Sequence, residues 1–243
     1  VELCDNIDFS EGEFEKIEKF SGVFNGNGYT LSNLSEPVFN LFTGSIKNVC
    51  VDEYCITRYF RSGSISKSCN EATIENVEII KSNSVSEETE ITPLSHYVRN
   101  SRIQDYSASL EFSSDEVYGL SSDIKESVIK DCTVDLDVTI GSEGGSLTSK
   151  AKANSEIYNF TTTGRVLINK ESSSFCGVCQ SLNGKAVNCS SDLDIYTAKN
   201  VSDFQKISGL FGSVDQVNNC EFTGEIKTLG EIKDESSYSY GRK

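Results

Sequence analysis

Two pairs of carboxylates are the first groups that could do chemistry. Asp135 and Asp137 lie two apart in Thr133-Val134-Asp135-Leu136-Asp137-Val138-Thr139, and Asp192 and Asp194 repeat the spacing in Ser191-Asp192-Leu193-Asp194-Ile195. Residues two apart on a strand share a face, so each pair points to one side of the chain. Oxygen donors arranged in this way are candidate calcium ligands. Paired carboxylates at a fixed separation also serve glycoside hydrolysis. A lyase would need, in addition, a Lys or Arg to take the proton, and Arg165 lies in the stretch between the two pairs. The simpler expectation is the solvated outer face of an acidic protein. Calcium is the one ion suggested, and no catalytic residue or other cofactor is expected.

The remaining reactive side chains are sparse. His96 is the single histidine, so a histidine triad or a His-rich metal site has one available member, and a surface or loop position is expected for it. Cys176 and Cys179 form one CxxC, whereas a structural zinc site needs a second pair of ligands. Four N-glycosylation sequons begin at Asn33, Asn159, Asn188 and Asn200. Asn200, in the stretch 197–206, is the first choice for a modified residue.

The chain of 243 residues carries 22 Lys plus Arg against 37 Asp plus Glu, a net charge of −15. Phosphate binding needs a basic footprint, so nucleic acid is not an expected partner, and the charge also disfavours an anionic membrane surface. No apolar run is long enough to span a bilayer. Cationic partners, neutral glycans and divalent ions remain. The absence of Met and the start at Val1 suggest a processed or excised segment.

The elements that must position these groups follow from a repeated phrase: apolar residue, spacer, Asn or Asp, apolar residue. Its anchors are Asn33, Asn48, Asn76, Asp105, Asp131, Asn159, Asn188 and Asn219. A period near thirty residues marks a stacked-repeat architecture. Apolar residues flank each anchor and often recur two positions later, which is strand spacing. Asn or Asp at the bend suits a corner in the left-handed backbone region. A weaker phrase precedes the anchor, as in Gly119-Leu120-Ser121-Ser122 and Gly209-Leu210-Phe211-Gly212. The expected fold is all-β, a right-handed parallel β-helix (solenoid) of about eight coils. Cys132, Cys189 and Cys220 share the position after the anchor with Val49, Val77 and Phe160, so they read as interior thiols. Cys4, Cys50, Cys55, Cys69, Cys176 and Cys179 remain candidate disulfide partners.

The segment Phe20-Ser21-Gly22-Val23-Phe24-Asn25-Gly26-Asn27-Gly28-Tyr29-Thr30-Leu31-Ser32-Asn33-Leu34 resembles the first full coil of GLUG-motif surface proteins. Ser208-Gly209-Leu210-Phe211-Gly212-Ser213 with Val217-Asn218-Asn219-Cys220 is similar to the GLUG repeat itself. The resemblance implies a pectate-lyase-like β-helix in a secreted or cell-surface adhesin, with a structural role and no enzymatic one. The middle coils, 61–117, depart from the pattern, with Ser and Glu where that family has Gly.

The expected organisation is an acidic cap over 1–19, a β-helix over 20–229 and a polar, Tyr-rich tail over 230–243. The expected function is a non-enzymatic extracellular or cell-surface module that associates with itself, end to end into filaments, or with other surface proteins. A carbohydrate-binding surface is the alternative, with Tyr54, Tyr59 and Phe60 as candidate stacking residues, and a polysaccharide lyase is the third reading.

Overall fold

The computed structural model describes residues 1–12, 14–52, 63–85, 90–169, 173–197 and 206–228. Tyr54, Tyr59, Phe60, Cys55, Asn200 and the segment 230–243 lie outside the described residues. Those described contain strands and no helix, and every strand pairing is parallel. They wind into a β-solenoid of about seven turns. The strands Arg102–Tyr118, Val128–Gly145 and Thr148–Ile168 are the longest, and each bends round a corner; Val128–Gly145 keeps its register with Thr148–Ile168, while its register with Arg102–Tyr118 shifts by one residue between Ser114 and Glu116.

One coil shows why the chain bends where it does. Ser95–Arg99 runs straight to Asn100, whose φ is +48°. The segment 102–104 runs on to Asp105, at φ +53°. The chain then continues through 106–114 to a short run at 116–118 and a tight turn at Gly119. The coils anchored at Asn76, Asp105, Asp131, Asn159 and Asn188 therefore have two corners with positive φ. The second is the repeated anchor: Asn48, Asn76, Asp105, Asp131, Asn159, Asn188 and Asn219 all have φ between 50° and 53°. Asn and Asp adopt this conformation more readily than other non-glycine residues because their short polar side chains bond locally.

The anchors also bond to one another along the axis. Asn48 donates to Asn25, Asn76 to Asn48, Asn159 to Asp131, Asn188 to Asn159 and Asn219 to Asn188, at 2.6–3.2 Å. Asn33 stands apart from this ladder. It follows the strand Thr30–Ser32, which pairs with the residues beyond the Asn48 corner, and its amide donates to Asp8 at 2.8 Å. Asn25 and Asn27 fill the corner position in that coil. The short interval between Asn33 and Asn48 is thus the distance between two different corners. Removing Asn33 from the series turns eight phrases into seven turns.

The core lies inside the coils as stacked rows. Two residues before the anchor, Ile46, Ile74, Ile103, Ile129, Ile157 and Ala186 are in register and fully buried. Full burial of each Ile stabilises the coil by roughly 1.5–3 kcal/mol. The row after the anchor includes Val49, Val77, Tyr106, Cys132, Phe160 and Cys189, all buried, and ends at the half-buried Cys220. Burial pushes the Cys132 and Cys189 thiols up to about 12. Cys4, Cys50, Cys69, Cys132, Cys189 and Cys220 are free thiols, so no disulfide joins the first three of them. Gly119 and Gly177 mark the weaker phrase for a steric reason. A Cβ there would stand 1.9 Å from the carbonyl oxygens of Ser146 and Gly209 respectively.

Candidate functional site

Three arrangements could do chemistry. The first holds the carboxylate pairs. Asp135, Thr163 and Asp192 are in register on successive coils. Thr163 donates to Asp135 at 2.8 Å, and Thr223 donates to Asp192 at 2.9 Å. Two residues along, Asp137, Arg165 and Asp194 form a second row. Arg165 donates through Nε and Nη2 to Asp137 at 2.9–3.2 Å. Arg165 therefore sits beside one pair and between the two, the placement left open by the sequence. The pairs are two rungs apart, roughly 10 Å at the usual strand spacing, so a single ion cannot join them. Among the described residues, no three His, Cys, Asp or Glu side chains converge as a metal site.

The second is a shallow groove of about 330 Å³ beside this face, lined by Glu78, Ser107, Ser109, Thr133, Thr161 and Thr163 among others. These residues lie two and four positions past the anchors, on the strand that leaves the corner. Its walls are hydroxyls and carboxylates over buried Ala108 and Val134.

The third is a seam that no sequence motif announces. Glu90, Glu116 and Glu143 stack on consecutive coils, and Ser174 continues the row. Six residues beyond each, across the turn at Gly119 and its equivalents, stand His96, Ser122, Ser149 and Gln180. Glu90 Oε1 lies 3.0 Å from Nδ1 of the buried His96. Neither atom has an aligned hydrogen bond, so the contact is a close approach of two polar atoms and not a shaped donor–acceptor pair. Ser149 donates to Glu143 at 2.8 Å, and Gln180 donates to Ser174 at 3.0 Å. The Tyr118 hydroxyl donates to Glu116 at 3.2 Å. Burial first, then the surrounding Glu116, Glu143 and Glu90, hold the Tyr118 phenol well above its ordinary range. It stays protonated and acts as a donor. His96 is accordingly an interior seam residue and not the loop histidine expected from sequence. The signal was there as Glu-x5-His, Glu-x5-Ser, Glu-x5-Ser and Ser-x5-Gln. On a straight strand residues six apart share a face but stand about 20 Å apart, so the pairing shows only once the turn is known.

The other predicted residues have structural partners. Asn159 and Asn188 each give and accept a ladder hydrogen bond, so their sequons are occupied as corner struts. Asp131 accepts from Asn159 and from Lys130, and these contacts hold its carboxyl below the usual range. Asp105 accepts from Gln104 at 3.2 Å. The segment expected as a cap, 1–19, carries short strands that pair onto the coil above it through Ile7–Asp8 and Ile17–Phe20.

No family model matches the chain, and no curated protein matches it. A search of solved structures finds a Bacteroides ovatus protein named provisionally as an immunoglobulin A1 protease. It has 13% sequence identity and a TM-score of 0.44, over 93% of this chain and 70% of that one.

Proposed function

We propose that this chain is a non-enzymatic, extracellular solenoid module with a structural or adhesive role, and that its end coils associate head to tail with a second copy. The observation that carries the reading is where apolar surface is exposed. Val1, Ile7, Ile17 and Val23 are 38–69% exposed in the first coil, and Val217 and Ile226 are 55% and 38% exposed in the last. The large exposed hydrophobics among the described residues fall in these two coils. Val217 continues a row whose six preceding members are fully buried. Each end also presents strand edges of the same direction, which invites strand addition. Stacking the last coil of one copy on the first coil of another would extend every row, a heterologous contact that propagates.

The seam supports a structural reading of the carboxylates. Each glutamate already meets a group of its own coil: His96, Tyr118 or Ser149. Arg165, the candidate lyase base, is bonded to Asp137. The net charge of −15 opposes association of two copies, so screening by salt strengthens it.

Light scattering with electron microscopy, at rising protein and salt concentration and with or without calcium, tests the proposal. The expected result is growth into rods that a Val217→Lys substitution blocks. A monomer at every concentration and salt level would overturn end-to-end association. The hydroxyl-lined groove beside Thr133 and Thr161 favours a second reading, a glycan-binding face, which a glycan array tests.

A further inference from the structure

We propose that Cys189 and Cys220 form an oxidative modification site, a reversible disulfide that staples the last coil to the body of the solenoid. Both follow an anchor, Asn188 and Asn219, and both point into the same row. The register on either side is continuous, with Val187 opposite Asn218 and Ser190 opposite Glu221. Adjacent rungs are about 4.8 Å apart. That spacing lies within the roughly 4.4–6.8 Å over which Cα atoms are bridged by a disulfide. The Cys220 sulfur already reaches the Cys189 residue: the backbone N–H of Cys189 donates to Cys220 Sγ at 3.4 Å. Phe160 separates Cys132 from Cys189 in the row, so Cys132 is two rungs away and out of reach.

The two thiols differ in access, which sets the order of events. Cys189 is buried, whereas Cys220 is half-buried in the terminal coil, where its Sγ meets the Asn218 carbonyl at 3.4 Å. A small disulfide oxidant such as glutathione disulfide therefore reacts first at Cys220. The Cys220 thiolate attacks one glutathione sulfur, forms a mixed disulfide and expels one glutathione thiolate. Cys189 then loses its proton to solvent, and its sulfur attacks Cys220 Sγ and expels the second glutathione. Two protein thiols are oxidised and one glutathione disulfide is reduced to two glutathiones. Burial raises the Cys189 pKa, so the second step quickens as pH rises above neutrality.

The closed loop holds the coil edge on which the association proposed above depends, yet the disulfide is independent of that association. The test incubates the full chain in a series of glutathione redox buffers, quenches with an alkylating agent, and maps the linked peptides by mass spectrometry. The expected product is a 189–220 cross-link with loss of two hydrogens, reversed by dithiothreitol. Oxidation should lower the rate of proteolysis within 206–228 at least several-fold. In Cys220→Ser both the cross-link and the protection vanish. In Cys189→Ser a glutathione adduct accumulates on Cys220. A wild-type chain that stops at the Cys220 adduct, or that links Cys220 to another cysteine, would overturn the proposal. Because the readouts are cross-link and protease protection, they remain decisive whether or not the chain forms rods.

Discussion

Ile129 and Val217 occupy the same place in the coil, two residues before the anchor, and they live in opposite environments. Ile129 is fully buried between Ile103 and Ile157, while Val217 has Ala186 on one side and is 55% exposed. Local sequence does not separate them, since Ile-Lys-Asp-Cys and Val-Asn-Asn-Cys fit one pattern. What separates them is the number of neighbouring rungs. In a solenoid each repeat is stabilised by the interface on either side, so burial at a repeat position belongs to the stack and not to the residue.

The most severe test of this contrast is truncation at the two sites. Ile129→Ala should cost about 2–5 kcal/mol, since it leaves a cavity with packed walls on both sides. Val217→Ala should fall within about 0.5 kcal/mol, as expected for an exposed site. Urea unfolding of the full chain reads both, and equal costs would mean that the last coil is covered in solution.

Alkali probes the interior rungs next. The folded-state thiols of Cys132 and Cys189 lie near 12, above the ordinary value of 9.0. Above pH 9 the unfolded chain therefore loses protons that the folded chain keeps, and stability falls as pH rises. The loss accrues at each thiol as pH rises from about 9 towards 12, and it is absent below 9. A Cys132→Val chain should show a shallower decline in melting temperature as pH rises above 9. An unchanged slope would place the alkaline sensitivity elsewhere.

A smaller effect, with the opposite sign, is expected at Thr162. Its row holds Val51, Ile79, Ala108 and Val134, yet Thr162 is fully buried and its hydroxyl has no hydrogen-bond partner. Thr162→Val removes that penalty at constant shape and should raise stability by about 1 kcal/mol. A destabilised Thr162→Val would show that an internal water satisfies the hydroxyl. Smallest of all, Arg165→Ala should change stability by less than about 1 kcal/mol, because its bond to Asp137 is exposed to solvent. A larger loss would show that the carboxylate rows repel each other enough to need the guanidinium.

The period and the second corner were legible because both depend on residue type. The corner needs a left-handed backbone, and Asn or Asp supplies it at each of seven coils. The first corner was illegible for the converse reason: Glu71, Asn100, Glu126, Asn154 and Gly184 share a positive φ and little chemistry. At Asn100 and Glu126 the bend is held by the next residue in the chain, with Ser101 and Ser127 bonding back to the carbonyls of Arg99 and Lys125. Asn33 carried the phrase without the place, since a short motif does not report which corner it turns. The Glu90–His96 seam needed the fold itself, because its partners meet only across a tight turn.

The pairings also settle how the rod would bear load. Its hydrogen bonds run along the long axis, coil to coil, so tension between the ends pulls on each rung in line with its bonds. Rungs then separate in succession, with no set of strands shearing together. Each release frees about 28 residues, the separation of Asp131 and Asn159 along the chain. At roughly 3.3–3.6 Å per extended residue, that is a step of about 90–100 Å. Stretched, the molecule behaves as a spool that unwinds turn by turn, beginning at whichever end is least well held.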